Sequence, residues 1–325
     1  MNKHLLVWKS IAESLQQQIP VMLLYVLESS GSSPGRQGFF MAVNSKGEME
    51  GSIGGGIMEH KFVELAKERL RAMNEPKEIS IRKQIHDKSV AKDQSGMICS
   101  GEQTILLYPV SENDNMIIQN IITSLGQYKN GTLYLSREGI QFQNTIPEKD
   151  FEFSLQSEDE WTYKEKTGYK NQLFIIGGGH CALAFSKLMR EMDFYIRLYD
   201  DRKNLPTIIK NDAAHEKHIV NTYTELSKLI SSGSNNYVVI MTFGYRTDDM
   251  ALKALLGKEF RYLGLLGSKT KVEKMFDDYR KEGIADFFLQ QIHTPIGIPI
   301  KSQTPEEIAV SIAAEIIRKK NHSFG

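Results

Sequence analysis

Two cysteines in 325 residues, Cys99 and Cys181, are too few and too far apart for a disulfide framework, and no Cys-x-x-Cys unit offers a structural metal site. A reducing, cytoplasmic setting is therefore expected. An excess charge of either sign is also missing, since forty Lys and Arg balance forty Asp and Glu. That leaves no electrostatic footprint for a nucleic acid or an anionic membrane surface, and it points to small molecules and proteins as partners. No stretch approaches ~18 uninterrupted apolar residues, so no membrane span is expected. The opening MNKHLLVWKSIAESLQQQ lacks the continuous apolar core of a signal and carries apolar residues at helical spacing. Internal repeats and low-complexity tracts are absent, and the histidines are scattered, so they suggest no metal-ligand set.

What is present falls into two halves. After the N-terminal amphipathic helix, VMLLYVLE (21–28) reads as a buried strand, followed by the loop SSGSSPGRQG and a hairpin through FFMAVN and SKGE. A helix is predicted from Gly56, and EISIRKQIH and TILLYPV read as strands with Cys99 in the loop between them. The region 151–170 is polar, charged and without period, and reads as a linker between domains spanning 1–150 and 171–325. In the second half LFII, FYIRLYDD, YVVIMTF and YLGLLG alternate with helical sequence, which predicts a doubly wound parallel sheet. The fold class expected is α/β: a mixed N-terminal domain followed by a Rossmann-like one.

Several residues carry candidate chemistry. Gly177, Gly179 and Ala182 fit the dinucleotide fingerprint: a tight turn, close backbone approach by a phosphate, and a small residue where helix meets strand. His180 opens that helix as either a ligand contact or a solvated residue, and Asp200 closes the next strand about 20 residues on, where a carboxylate can accept from a ribose hydroxyl. In GLLGSKTK, Ser268 and Lys269 form either a second phosphate site or a plain N-cap with solvated lysines. Gly54, Gly55 and Gly56 lead directly into a helix with Glu59 one turn inside, and Arg36 stands in the SSPGRQG loop as a cation for phosphate or carboxylate, or as a surface residue. Cys99 lies in the glycine-containing SGMICSGEQ and is either a soft ligand or a packed thiol. Thr304-Pro305-Glu306-Glu307 reads as a capping box with a structural job.

Taken in order, GSSPGRQGFFMAVNSKGEMEGSIGGGIMEH, CSGEQTILL, LFIIGGGHCALAF, YDDR, YLGLLGSKTK and IHTPIGIPIKSQTPEEIAVSIAAEII resemble the xanthine dehydrogenase accessory protein family, XdhC/CoxI. The resemblance implies an XdhC/CoxI domain followed by a Rossmann-like domain. It also implies a chaperone that holds the molybdenum cofactor (molybdopterin) of xanthine dehydrogenase-type molybdenum hydroxylases during sulfuration and inserts it. On that reading Cys99 is the candidate molybdenum ligand, the client hydroxylase and a cysteine desulfurase are partners, and the chain is a homodimer. Ile57 follows the glycines where many members have cysteine, as in the xanthine dehydrogenase branch of the family. Cys99 is the one cysteine retained where members often have two, and Thr242-Phe243 replaces a Thr-His pair. The competing reading is an NAD(P)-dependent oxidoreductase, but the sequence names no acid–base pair for hydride transfer.

Overall fold

The computed structural model describes residues 3–72, 78–85 and 101–321. These form two compact units, divided between Gly168 and Tyr169. The first contains helix α1 (Lys3–Gln16), strands β1 (Val21–Gly31), β2 (Phe40–Asn44) and β3 (Met49–Gly51), helix α2 (Gly56–Arg71), strands β4 (Ser80–Ile85) and β5 (Gly101–Val110), helix α3 (Asn115–Gly126), and strands β6 (Gly131–Ser136), β7 (Gly139–Gln143), β8 (Phe151–Leu155) and β9 (Trp161–Thr167). An antiparallel sheet runs β3-β2-β1-β5-β4, and a second runs β7-β6-β9-β8.

Residues 21–27 of β1 are an unbroken apolar run because both faces of the strand are buried there. Val21, Leu23, Tyr25 and Leu27 join a core with α1, α3 and the second sheet, while Met22, Leu24 and Val26 pack against Phe62, Val63, Ala66 and Leu70 of α2. Within the first core the buried Glu165 carboxylate accepts from the Tyr25 and Tyr163 hydroxyls at 2.5 and 2.7 Å. Burial, together with that neighbouring carboxylate, pushes both phenols well above their usual pKa.

The stretch 151–170 is not a linker. Phe151–Leu155 and Trp161–Thr167 are β8 and β9, hydrogen-bonded into the second sheet of the first unit. β8 lies at the sheet edge with exposed alternate residues, which is why its sequence looks like a solvated connection. In β9, Trp161, Tyr163, Glu165 and Thr167 point inward and the intervening residues do not, a period of two masked by the charged inward Glu165.

The second unit contains β10 (Asn171–Ile176), α4 (His180–Glu191), β11 (Phe194–Asp200), α5 (Pro206–Ile209), β12 (Glu216–Ile219), α6 (Leu226–Leu229), β13 (Gly233–Ile240), α7 (Tyr245–Leu255), β14 (Phe260–Leu265), α8 (Lys269–Lys281), α9 (Asp286–Gln290), β15 (Ile292–His293) and α10 (Pro305–Asn321). Its sheet order is β12-β11-β10-β13-β14-β15, parallel throughout. One face, with Leu173, Ile175, Tyr237 and Val239, is covered by α4 and α10; the other, with Phe174, Ile176, Val238 and Ile240, by α7 and α8. This is the Rossmann-like arrangement expected from the alternating pattern. Among the described residues no helix is long and apolar enough to cross a membrane.

Helix α10 begins as its sequence dictates. Thr304 Oγ1 accepts from Glu307 N–H at 3.2 Å, and Glu307 Oε2 accepts from Thr304 N–H at 3.3 Å. One and a half turns before its end, Glu315 is buried and accepts from Tyr262 Oη (2.6 Å) and Gly297 N–H (2.7 Å), with His293 Nδ1 at 3.2 Å. Burial opposes ionisation there, but His293, Tyr262 and Gly297 outweigh it and hold the carboxyl at about 2, against an ordinary 4.5. Because the folded pKa is depressed, the stabilisation is complete above the unfolded value and is lost as pH falls through the folded one. Glu315→Gln is expected to cost about 2–3 kcal/mol at pH 7. The gap from wild type should close between pH 4.5 and pH 2, as read by urea unfolding at stepped pH.

Candidate functional site

Among the described residues, each unit sets candidate residues around a glycine turn that leads into a helix. In the first, three segments converge beside the end of β1 and the start of β5. Gly101 pairs with Gly31, and a Cβ at Gly101 would stand 2.6 Å from Ser33 N. Gly35 and Gly54 touch backbone to backbone: a Cβ on Gly35 would lie 2.0 Å from Ile53 O, and one on Gly54 2.3 Å from Gly35 N. The buried Gln103 amide donates to Gly35 O at 2.9 Å, which ties β5 to the Pro34-Gly35 turn. Arg36 is exposed, with Nη1 donating to Gly31 O at 3.0 Å. The structure therefore brings together Arg36, Gly54, Gly55, Gly56 and Glu59. Cys99 lies outside the described residues.

Glu59 has a job the sequence did not reveal. Its Oε2 accepts from Ser52 Oγ (2.7 Å), Ile53 N–H (2.9 Å) and Gly55 N–H (3.0 Å), so the first-turn acid of α2 reaches back and fixes the loop that leads into its own helix. Gly55 is the N-cap and offers no side-chain cap, and a Cβ there would meet nothing within 4 Å. The start of α2 is thus open to solvent beside Ile57, whose side chain is exposed, while the Gly55 amide itself is taken by Glu59.

In the second unit the strand order reverses between β10 and β13, and ligands of such folds sit outside the carboxyl ends of the strands at that switch. Gly177, with φ +107°, makes the turn, and a Cβ on it would lie 2.3 Å from Met241 O, so β10 must end in glycine to pass the end of β13. Gly179 and Gly244 are the N-caps of α4 and α7, neither with a side-chain oxygen, and a Cβ on either would meet nothing within 4 Å. Ala182 is buried against the sheet, and His180 is exposed at the first position of α4. Cys181 packs on the core of this unit, and burial raises its thiol pKa, so it is no thiolate.

Two expectations change here. Asp200 is fully buried and does not present a free carboxylate to a ribose: it accepts from Gly178 N–H (2.6 Å) and, from Arg202, N–H (2.8 Å), Nε (2.9 Å) and Nη2 (2.7 Å). Those four bonds use the acceptor capacity of a carboxylate. Burial would raise its pKa, but Arg202 and Gly178 hold it below the usual value. Asp200 braces the glycine turn instead, aided by Thr207, whose hydroxyl donates to Gly178 O. Ser268 is the N-cap of α8, accepting from Lys271 N–H at 3.3 Å, and Lys269 is 82% exposed with only Glu273 near at 3.8 Å. The capping alternative describes that pair: Ser268 caps α8 and Lys269 stands in solvent.

The lysine that matters there is one the sequence did not single out. Lys271 Nζ pairs with Asp248, whose side chain is 1% exposed and which also accepts from Thr242 N–H (3.0 Å) and Thr242 Oγ1 (2.6 Å). The pair ties the first turn of α8 to that of α7, directly beside the end of β13. Among the described residues no group of three His, Cys, Asp or Glu is placed to hold a metal ion.

The comparisons follow this two-part geometry. Residues 14–79 match the model described as XdhC and CoxI family, and residues 173–316 match that of the XdhC Rossmann domain. The chain belongs to the XdhC and CoxI family. Both matches fall in the order in which the two units occur, and each includes one of the glycine turns. The chain is 24% identical over 322 residues to the uncharacterized protein YqeB of Escherichia coli K12, covering 98% of this chain and 47% of that protein. It is 33% identical over 82 residues to a probable xanthine dehydrogenase subunit of Bacillus subtilis 168, covering 25% and 23% respectively. The chain thus spans about half the length, or less, of these family relatives. A solved structure described as a xanthine dehydrogenase from Bacillus halodurans superposes with a TM-score of 0.70 at 22% identity, covering 97% of this chain and 96% of that one, a likeness of fold.

Proposed function

We propose that this protein is a molybdenum cofactor-holding accessory factor for xanthine dehydrogenase-type molybdenum hydroxylases. It keeps the cofactor while a terminal oxo ligand is exchanged for sulfur, and hands it to the apo-enzyme. The observation that carries this reading is the match of both units, in order, to XdhC family models. The donor chemistry of the first unit fits such a group. The N-terminus of α2 at Gly56, which opens to solvent beyond the Gly55 cap, suits its terminal phosphate. Glu59 Oε1, which accepts no hydrogen bond among the described residues, suits an amide-like ring edge, and Arg36 offers the remaining donors of its fork. Cys99 supplies a soft sulfur in this reading. The partners are the client hydroxylase, a cysteine desulfurase and a second copy of this chain.

An NAD(P)-dependent oxidoreductase is disfavoured because Asp200, its ribose acceptor, is saturated. The test is reconstitution of an apo molybdenum hydroxylase with wild type and Cys99→Ser, scored by molybdenum content and activity beside thermal melts. Cys99→Ser should melt with wild type yet leave the client with under about a tenth of its activity, since a hard, poorly ionised hydroxyl replaces the thiolate. Full activation by the variant removes Cys99 from the role, and failure of wild type to raise client activity removes the proposed function.

A further inference from the structure

Phe243 is 87% exposed, more than any other large apolar side chain among the described residues. It sits in the short loop between β13 and α7, at the carboxyl end of the sheet, one residue before the open glycine cap of α7. The Arg202 guanidinium stands 5.7 Å from the centre of its ring. Arg202 follows β11 and Phe243 follows β13, and these strands flank β10 on either side. The two side chains therefore meet across the end of β10, over the Gly177–Gly179 turn.

We propose that Phe243 and Arg202 form the platform that receives the planar heteroaromatic ring of a phosphate-bearing ligand in the second unit. This rests on reading the switch-point crevice, with its open α4 N-terminus, as the place where the phosphate binds. Arg202 is held by two side-chain bonds to the buried Asp200, so its plane is set before any ligand arrives. It covers one face of Phe243 and leaves the rest of the ring in water, so stacking a second ring there removes apolar surface from solvent without displacing protein. The same arrangement accounts for Asp200 being engaged by Arg202: the carboxylate orients the cation that flanks the ring. The shared chemistry is a flat, nitrogen-rich ring carrying a phosphate, which both an adenine nucleotide and a pterin phosphate provide.

The experiment is titration calorimetry of the full chain with AMP, a 6-alkylpterin monophosphate and ribose 5-phosphate, using wild type, Phe243→Ala, Phe243→Trp and Gly179→Val. At least one ring-bearing probe should bind about tenfold or more tighter than ribose 5-phosphate, as base–aromatic stacking warrants. Phe243→Ala should erase that difference, and Phe243→Trp should keep it. Whichever of AMP and the pterin phosphate gains more from the ring identifies the source. Ring-bearing probes that bind Phe243→Ala as tightly as wild type overturn the platform, and if Gly179→Val still abolishes their binding the crevice itself stands. Absence of binding by all three probes overturns both. Thermal melts of Phe243→Ala should match wild type, because the side chain contributes almost no burial.

Discussion

Lys271→Met is expected to destabilise the second unit by about 3–5 kcal/mol, because it leaves the Asp248 carboxylate charged, buried and without its cation. Thr242 continues to donate to Asp248 Oδ1 through its amide and hydroxyl, but hydrogen bonds from neutral groups do not replace a counter-charge at a side chain that is 1% exposed. The double variant Asp248→Asn with Lys271→Met should recover most of the loss, since an amide keeps the Thr242 bonds and carries no charge to compensate. Urea unfolding followed by a probe in each unit is the measurement: the transition reported from the second unit should shift and that from the first should not. Equal stability of the single variant and wild type would mean that the pair is solvated and that α7 and α8 are held by packing alone.

Gly35→Ala should have a comparable effect on the first unit, about 3 kcal/mol or more, through a different mechanism. The added methyl would stand 2.0 Å from Ile53 O and 2.5 Å from Gln103 Nε2, and Ile53 O belongs to backbone that Glu59 and Gly54 already fix. Either the Pro34-Gly35 turn or the loop into α2 must move, and both belong to the proposed cofactor site. Gly55→Ala is the control. Its methyl meets nothing within 4 Å, so its cost is the strain of a backbone at φ 75° and ψ −175°, a region that essentially only glycine adopts, about 1–3 kcal/mol. Thermal or urea unfolding should rank Gly35→Ala well below Gly55→Ala. The reverse order would show that the three segments are not in the contact described.

Much of the architecture was legible from the residues. Continuous apolar runs such as VMLLYVL and LFII identify strands buried on two faces, and the glycine fingerprint followed by Ala182 identifies the β10–α4 turn, because each feature is imposed by local sterics or by a regular period. The Thr304–Glu307 cap was equally plain, since both halves of its reciprocal bond lie within four residues. The second sheet of the first unit was not legible. β8 is an exposed edge, and β9 carries Glu165 on its buried face, where the Tyr163 hydroxyl and the distant Tyr25 hydroxyl, 140 residues away in sequence, make a carboxylate tolerable.

The candidate residues divide along the same line. From the sequence alone came the family, the two glycine turns and the expectation that α2 and α4 begin where an anion can meet free amides, because backbone conformation and helix starts are decided by neighbours in the chain. What each polar side chain does there was decided only by the tertiary structure. Asp200 meets Gly178, 22 residues before it, where a ribose was expected, and Lys271 instead of Lys269 finds Asp248. A carboxylate or an ammonium takes the partner that the fold brings within 3 Å, and residues 22 or 23 positions apart carry no local signal that they will meet.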